Sequence, residues 1–127
     1  MFDKNLLAPV GSTGNQTHPS VWLGQAYEAV VMQFVVEAVG ATPTVTWKVQ
    51  ASVDGQDISD GSSAWFDVAY ITDASDTVAV TARTRTTVGK DVQFLSNPVA
   101  RRYQKYRLVT SANTNVTYHG EISGVSA

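Results

Sequence analysis

This sequence predicts an all-β domain: an antiparallel β-sandwich, jelly-roll-like, of seven or eight strands with an extended N-terminal arm. Three observations carry that expectation. From about residue 27 onward apolar and polar residues alternate with a period of two, and only a strand sends alternate residues to opposite faces. Clusters of Gly, Pro, Asp, Asn and Ser break the alternation roughly every 8–12 residues, the spacing of sandwich strands. The apolar segments are rich in Val and Thr and none holds a helical period.

Residues 1–26 read as an arm or edge segment and 27–127 as the sandwich domain. Gly11, Ser12, Thr13, Gly14, Asn15, Gln16, Thr17, His18, Pro19 and Ser20 are turn formers and polar residues without apolar rhythm, which predicts a loop or extended chain. Leu6, Leu7 and Val10 before this run, and Val21, Trp22 and Leu23 after it, are anchors that want an apolar surface. Two readings stand: a first strand pairing on the domain edge, or an arm reaching a neighbouring subunit.

Residues 29–39 place Met32, Phe34, Val36 and Ala38 on one face, with Gln33 and Glu37 on the other. Val31 and Val35 share that second face, so the strand is buried on both sides or crosses an interface. Val30, Val31, Val35, Val36 and Val39 argue against a helix, where β-branched side chains lose χ1 freedom. Gly40, Ala41, Thr42 and Pro43 then read as a turn joining a hairpin. Its second strand sets Val45, Trp47, Val49, Ala51 and Val53 opposite Thr44, Thr46, Lys48, Gln50 and Ser52.

A polar turn runs from Asp54 to Ser63. The next strand puts Phe66, Val68 and Tyr70 on one face and Asp67 on the other, with Trp65 out of phase and exposed. After a turn at residues 73–76, residues 77–87 set Val78, Val80, Ala82 and Thr84 against Ala79, Thr81, Arg83 and Arg85. Val92 and Phe94 mark a short strand ending at Asn97 and Pro98. Residues 102–110 turn Tyr106 and Leu108 one way, Arg107 and Val109 the other. In the last strand Val116, Tyr118 and Ile122 face inward, and Asn115, Thr117, His119 and Glu121 outward.

Composition narrows the function classes. The 127 residues are 43% hydrophobic, enough for a packed core, and only 16% charged, so hydroxyls and amides must supply much of the polar surface. A net charge of −2 argues against an electrostatic nucleic-acid partner. Without cysteine there is no disulfide, thiolate zinc site or thiol nucleophile. No stretch approaches the ~18 apolar residues of a membrane helix, so no membrane is expected. The N-terminus, with Asp3 and Pro9 breaking a short apolar run, does not read as a signal peptide.

Catalytic chemistry is poorly supplied, and no enzyme or cofactor is expected. His18 falls in the arm and His119 on an outward face, neither with a partner at metal-pair spacing. The serines lack the G-x-S-x-G elbow, and Gly11 to Gly14 lacks the Gly-Lys-Ser/Thr ending of a phosphate loop. Asp54, Asp57 and Asp60 are spaced by three, and the twelfth position counted from Asp54 is Trp65, so an EF-hand calcium loop is excluded. A calcium site of another kind or solvated turn carboxylates remain. Arg101, Arg102, Lys105 and Arg107, interleaved with Tyr103 and Tyr106, read as a solvated or subunit-contacting face rather than a nucleic-acid surface. Asn15 and Asn115 each open a glycosylation sequon, a pattern short enough to recur by chance. Trp65 is a candidate sugar platform or a subunit contact.

The segment from Val35 to Gly55 resembles a pattern of small virion proteins of tailed bacteriophages: an apolar strand, a Gly/Thr/Pro turn, and an alternating strand ending in Gln50, Ser52, Asp54 and Gly55. Trp65, Phe66, Asp67, Val68 and Ala69 resemble the next strand of that pattern. Arg102, Tyr103, Lys105, Tyr106, Arg107, Leu108 and Val109, then Asn115, Val116, Thr117 and Tyr118, resemble its late strands. The resemblance covers about residues 29–122 and contains no catalytic signature; the arm has no counterpart in it. It implies a β-sandwich assembled on the particle, a capsid decoration (cement) protein on the virion exterior, made in the host cytoplasm. Its partners would be the major capsid protein and its own copies, as a trimer or other symmetric oligomer. Leu6, Leu7, Val10, Val21, Trp22, Leu23, Trp65, Arg101 and Arg102 are the expected interface residues. A tail or neck component, or a carbohydrate-binding module, are the alternatives.

Overall fold

The computed structural model describes residues 2–24, 27, 29–71, 79–96 and 103–125. Nine strands appear among them: β1 (Phe2–Thr13), β2 (Val21–Trp22), β3 (Ala29–Ser52), β4 (Trp65–Asp67), β5 (Tyr70–Ile71), β6 (Ala79–Val80), β7 (Arg83–Arg85), β8 (Gly89–Ser96) and β9 (Lys105–Val125). One 3-10 turn, Asp60–Ser62, lies between β3 and β4. All described pairings are antiparallel, as the alternation requires.

Two long strands organise everything. β3 and β9 run antiparallel along their full lengths, from Ala29 opposite Val125 to Ser52 opposite Lys105. Halfway along, the ladder breaks: four residues of β3, 40–43, stand against Asn115 alone, between the pairs Val39–Val116 and Thr44–Thr114. Thr42, Ala112 and Asn115 take positive φ there, at 44°, 51° and 53°. Unequal residue counts across a pair bend and twist a strand. β1 slips at the same height, between Ala8 opposite Gly120 and Ser12 opposite Tyr118.

The sheet therefore folds over on itself and one sheet makes both layers. The first half of β3 pairs with β8, and β1 flanks the second half of β9, giving a layer ordered β1, β9, β3, β8. The second half of β3 pairs with β4 and β7, and β2 pairs with the start of β9. Side chains of the two inner faces meet: Phe34 stacks on Trp47 and leans on Tyr118. Trp47 Nε1 donates to Asp91 Oδ2 in the opposite layer at 3.2 Å. The core they close holds Val30, Met32, Val36, Val45, Val49, Ala51, Tyr106, Leu108 and Ile122, all essentially inaccessible.

The expected hairpin at Gly40–Pro43 is corrected by this register. The segments before and after it do not pair with each other; they continue along one partner strand, and the turn formers make a bulge. Likewise the two expected late strands are one strand, β9, interrupted only by its own bulge near Ala112. The alternation within β3 is as expected at Met32, Phe34, Val36, Val45, Trp47, Val49 and Ala51, but Ala38 is exposed at the bend and Val53, 71% exposed, lies beyond the strand end.

Val92, which marks β8 in the sequence, is 50% exposed, and its polar neighbour Gln93 is buried. Gln93 faces inward because its Nε2 donates to Val68 O across the layers. In β7 Arg83 and Arg85 are half-buried and Thr84 exposed, since Arg85 fills the following turn, donating to Thr87 O, Val88 O and Asp91. The side chains of Tyr70, Val78, Val80 and Phe94 lie outside the described residues.

Candidate interaction surface

The N-terminal segment pairs with β9 along almost its whole length. β1 covers Thr117 to Val125, Thr17 bridges Val109, and β2 sits opposite Lys105 and Tyr106. Between them Thr110 N donates to Gln16 O, His18 N to Leu108 O and Leu23 N to Gln104 O. Among the described residues no strand pairs with the other edge of β1.

Three anchors fix it. Leu7, Ala8 and Leu23 are buried in the core of this same chain. His18, expected in a flexible stretch, is buried at 3% exposure, with Nε2 2.8 Å from the Tyr118 hydroxyl and the rings edge to face. Tyr118 Oη is 2.8 Å from Thr110 Oγ1, which also accepts from Gln16 N and donates to Gly14 O. Burial lowers the His18 pKa from its ordinary value, because a charged imidazolium would lose its water there. Burial pushes the Tyr118 hydroxyl up, against a lowering by the Thr110 hydrogen bond.

The third anchor is Asp60, which accepts from Ser20 N at 2.9 Å and Ser20 Oγ at 2.6 Å. Burial alone would raise its pKa; the two Ser20 hydrogen bonds and the charges of Lys105 and Arg107 outweigh it and hold the carboxyl below its usual value. Lys105 is 2% exposed. Its ammonium donates to Ile58 O and Ser63 Oγ, each at 2.6 Å, and sits 3.7 Å from Asp60 Oδ1. The acidic turn considered for calcium thus folds around an internal cation, Lys105 Nζ. Among the described residues no group of three or more His, Cys, Asp or Glu side chains is placed to hold a metal.

Trp65 is half-buried beside this loop. Its Nε1 donates to Asp60 O, and the Arg107 guanidinium lies over its ring at 4.0 Å. A ring face a sugar would stack on is therefore taken by an arginine. Phe66, by contrast, is exposed at the β4 edge and touches Tyr103.

The expected interface residues divide. Leu6 and Val10 are 50% and 65% exposed, Val21, Trp22 and Trp65 are half-buried, and Leu7 and Leu23 are buried in this chain. Arg101 and Arg102 lie outside the described residues. Not anticipated were His18, Lys105, Ser20 and Asp60 as the fastening points, because their partners lie 40 or more residues away and leave no local pattern.

At the bend a groove of about 530 Å³ opens between Thr13, Gly14, Val39, Gly40, Asn113 and Asn115. Its amides are engaged in holding the bend: Asn113 Nδ2 donates to Gly14 O and Val116 O, and Asn115 Nδ2 to Ala41 O. On the outer face of the first layer Glu37 Oε2 accepts from Gly11 N at 2.9 Å, tying the β1 bulge to β3. His119 Nδ1 lies 3.1 Å from the same oxygen without hydrogen-bond geometry, so their attraction is Coulombic when the imidazole is protonated.

No protein-family model and no curated protein sequence matches the chain. Among solved structures it is similar to the SPBc2 prophage-derived protein YomS, with a TM-score of 0.59 and 10% identity over 97% of this chain and 94% of that one. It is also similar to the K1 cleaved adhesin domain of Lys-gingipain from Porphyromonas gingivalis W83, at a TM-score of 0.46 and 11% identity over 98% and 73% of the two chains. At such identities the first likeness is one of fold, and the second supports no conclusion.

Proposed function

We propose that this chain is a structural protein of a tailed-bacteriophage particle, a decoration protein that binds the major capsid protein on the capsid exterior as a symmetric oligomer. The observation that carries this reading is the end-to-end fold likeness to a prophage-derived protein, joined to the resemblance of residues 29–122 to small virion proteins. In this reading the chain works by binding alone.

The fold suits the task. A decoration protein must be stable before assembly and present a fixed surface to a repeated lattice, since flexible contacts lose entropy on docking. Here the N-terminal segment is already ordered against β9, so the exposed Val10 is offered on a rigid edge. Several such weak contacts made by one oligomer reinforce each other.

The copy number in purified particles tests the proposal. Densitometry against the major capsid protein is expected to give a stoichiometric ratio set by the capsid lattice. A handful of copies per particle would assign the chain to the tail or neck, and its absence from particles would reject the reading.

A further inference from the structure

We infer that the outer face of the layer β1, β9, β3, β8 is the contact surface between two copies of this chain, related by a two-fold axis running parallel to the strands between β9 and β3. The register places one row of outward residues across all four strands: Leu6, Glu121, Gln33 and Val92. The ends of that row, Leu6 and Val92, are each 50% exposed. Two residues further along β3 on either side, Val31 and Val35 share this face and are half-buried by their own chain alone. Single exposed apolar residues are ordinary; four on one sheet face, spanning its full width, form a patch.

The row is complementary to itself. A two-fold contact must match a surface with its own reversed copy. Reversing Leu6, Glu121, Gln33, Val92 sets Leu6 of one copy over Val92 of the other, and the Glu121 carboxylate, an acceptor, over the Gln33 amide, a donor. In the neighbouring row His119, Val35 and Lys90 lie side by side. The same operation carries the exposed Lys90 across to the flank where Glu37 holds the β1 bulge at Gly11. Basic and acidic flanks therefore meet, and the valines of β3 lie near the axis. Sheets packed face to face with near-aligned strands are a standard arrangement.

This inference gives the oligomer of the proposed function a surface and rests on that reading only for self-association. It is therefore tested on the free full-length chain, while capsid location is decided on particles. Sedimentation equilibrium is expected to show a reversible dimer, or a higher even-numbered assembly built from it. Val92→Lys and Leu6→Lys, both at exposed positions, are expected to leave the circular dichroism spectrum in place, give monomer, and make the thermal midpoint independent of protein concentration. Lys90→Glu is expected to weaken association a few-fold, the scale of one exposed charge pair.

Because the chain has no cysteine, a Leu6→Cys/Val92→Cys double variant reads the geometry directly. Within one copy the two positions are separated by three strand spacings, about 14 Å, too far for a disulfide. Across facing sheets they stand about 10 Å apart, also beyond a direct disulfide. A short bismaleimide that cannot span the intrachain distance is therefore expected to give a covalent dimer at twice the mass, and Leu6→Cys alone is expected to stay uncrosslinked. A monomer at all concentrations, or association indifferent to Val92→Lys, overturns the inference. So does crosslinking of Leu6→Cys alone.

Discussion

Phe34 and Trp47 lie on the same strand, thirteen residues apart, yet their rings stack at 5.1 Å with 12° between the planes. A straight strand of that length would separate them by about 43 Å. The contact exists only because β3 and β9 bend together at the bulges around residues 40–43 and 112–115. It links the two layers within the buried core, and the hydrogen bond from Trp47 Nε1 to Asp91 Oδ2 is its polar complement.

Removing either ring should therefore cost more than an ordinary surface change. Phe34→Ala is expected to destabilise the chain by about 3–5 kcal/mol, the range for a large aromatic deleted from a core. Urea unfolding followed by tryptophan fluorescence checks it, with Phe34→Leu expected to recover much of the loss.

His18 gives the fold a pH dependence of known sign. Its folded-state pKa is lowered below 6.5 by burial, so the unfolded chain takes up the proton first as pH falls. The stability contributed by the neutral ring is complete above about pH 6.5 and drains away as pH drops toward the folded-state value. The urea midpoint is expected to fall between pH 7.5 and 5, and less steeply in His18→Gln. Equal slopes in the two proteins would show that His18 is not the group responsible.

Lys105 should be irreplaceable by an apolar side chain of similar length. Lys105→Met leaves Ile58 O and Ser63 Oγ without their donor and Asp60 without its neighbouring cation, an expected loss of about 1–3 kcal/mol in all. The expected outcome is a lowered thermal midpoint together with new proteolytic cleavage within residues 54–63. Unchanged cleavage would mean that the loop is held by other contacts.

Gly124 is required by a close approach. A Cβ added there would fall within the Tyr27 ring, and Tyr27 is fully buried. Gly124→Ala is expected to destabilise by about 1–3 kcal/mol, as overpacking does. Pairing it with Tyr27→Leu is expected to relieve part of the loss, read in the same denaturation series.

How far the sequence could be read follows from the range of each interaction. Period-two alternation is local, so the buried faces of β3 and β9, Met32 to Val36, Val45 to Ala51, Tyr106 to Leu108 and Val116 to Ile122, were legible residue by residue. The path of the chain between them was not. Gly40 to Pro43 has the composition of a hairpin turn, and only the pairing of both flanks with β9 makes it a bulge. The inward Gln93 and outward Val92 invert a phase that hydrophobicity alone assigns the other way, because a carbonyl at Val68 needs a donor. The same limit hid the fastening of the N-terminal segment: His18 and Tyr118 are one hundred residues apart, and Ser20 and Asp60 forty.

The most direct test of the account is an electron-microscopy map of purified particles. The account predicts density for this folded-over sheet at repeated sites on the outside of the capsid shell, in symmetric groups and in contact with the major capsid protein. Density for the chain confined to the tail or neck, or a shell bare of it, would contradict the account.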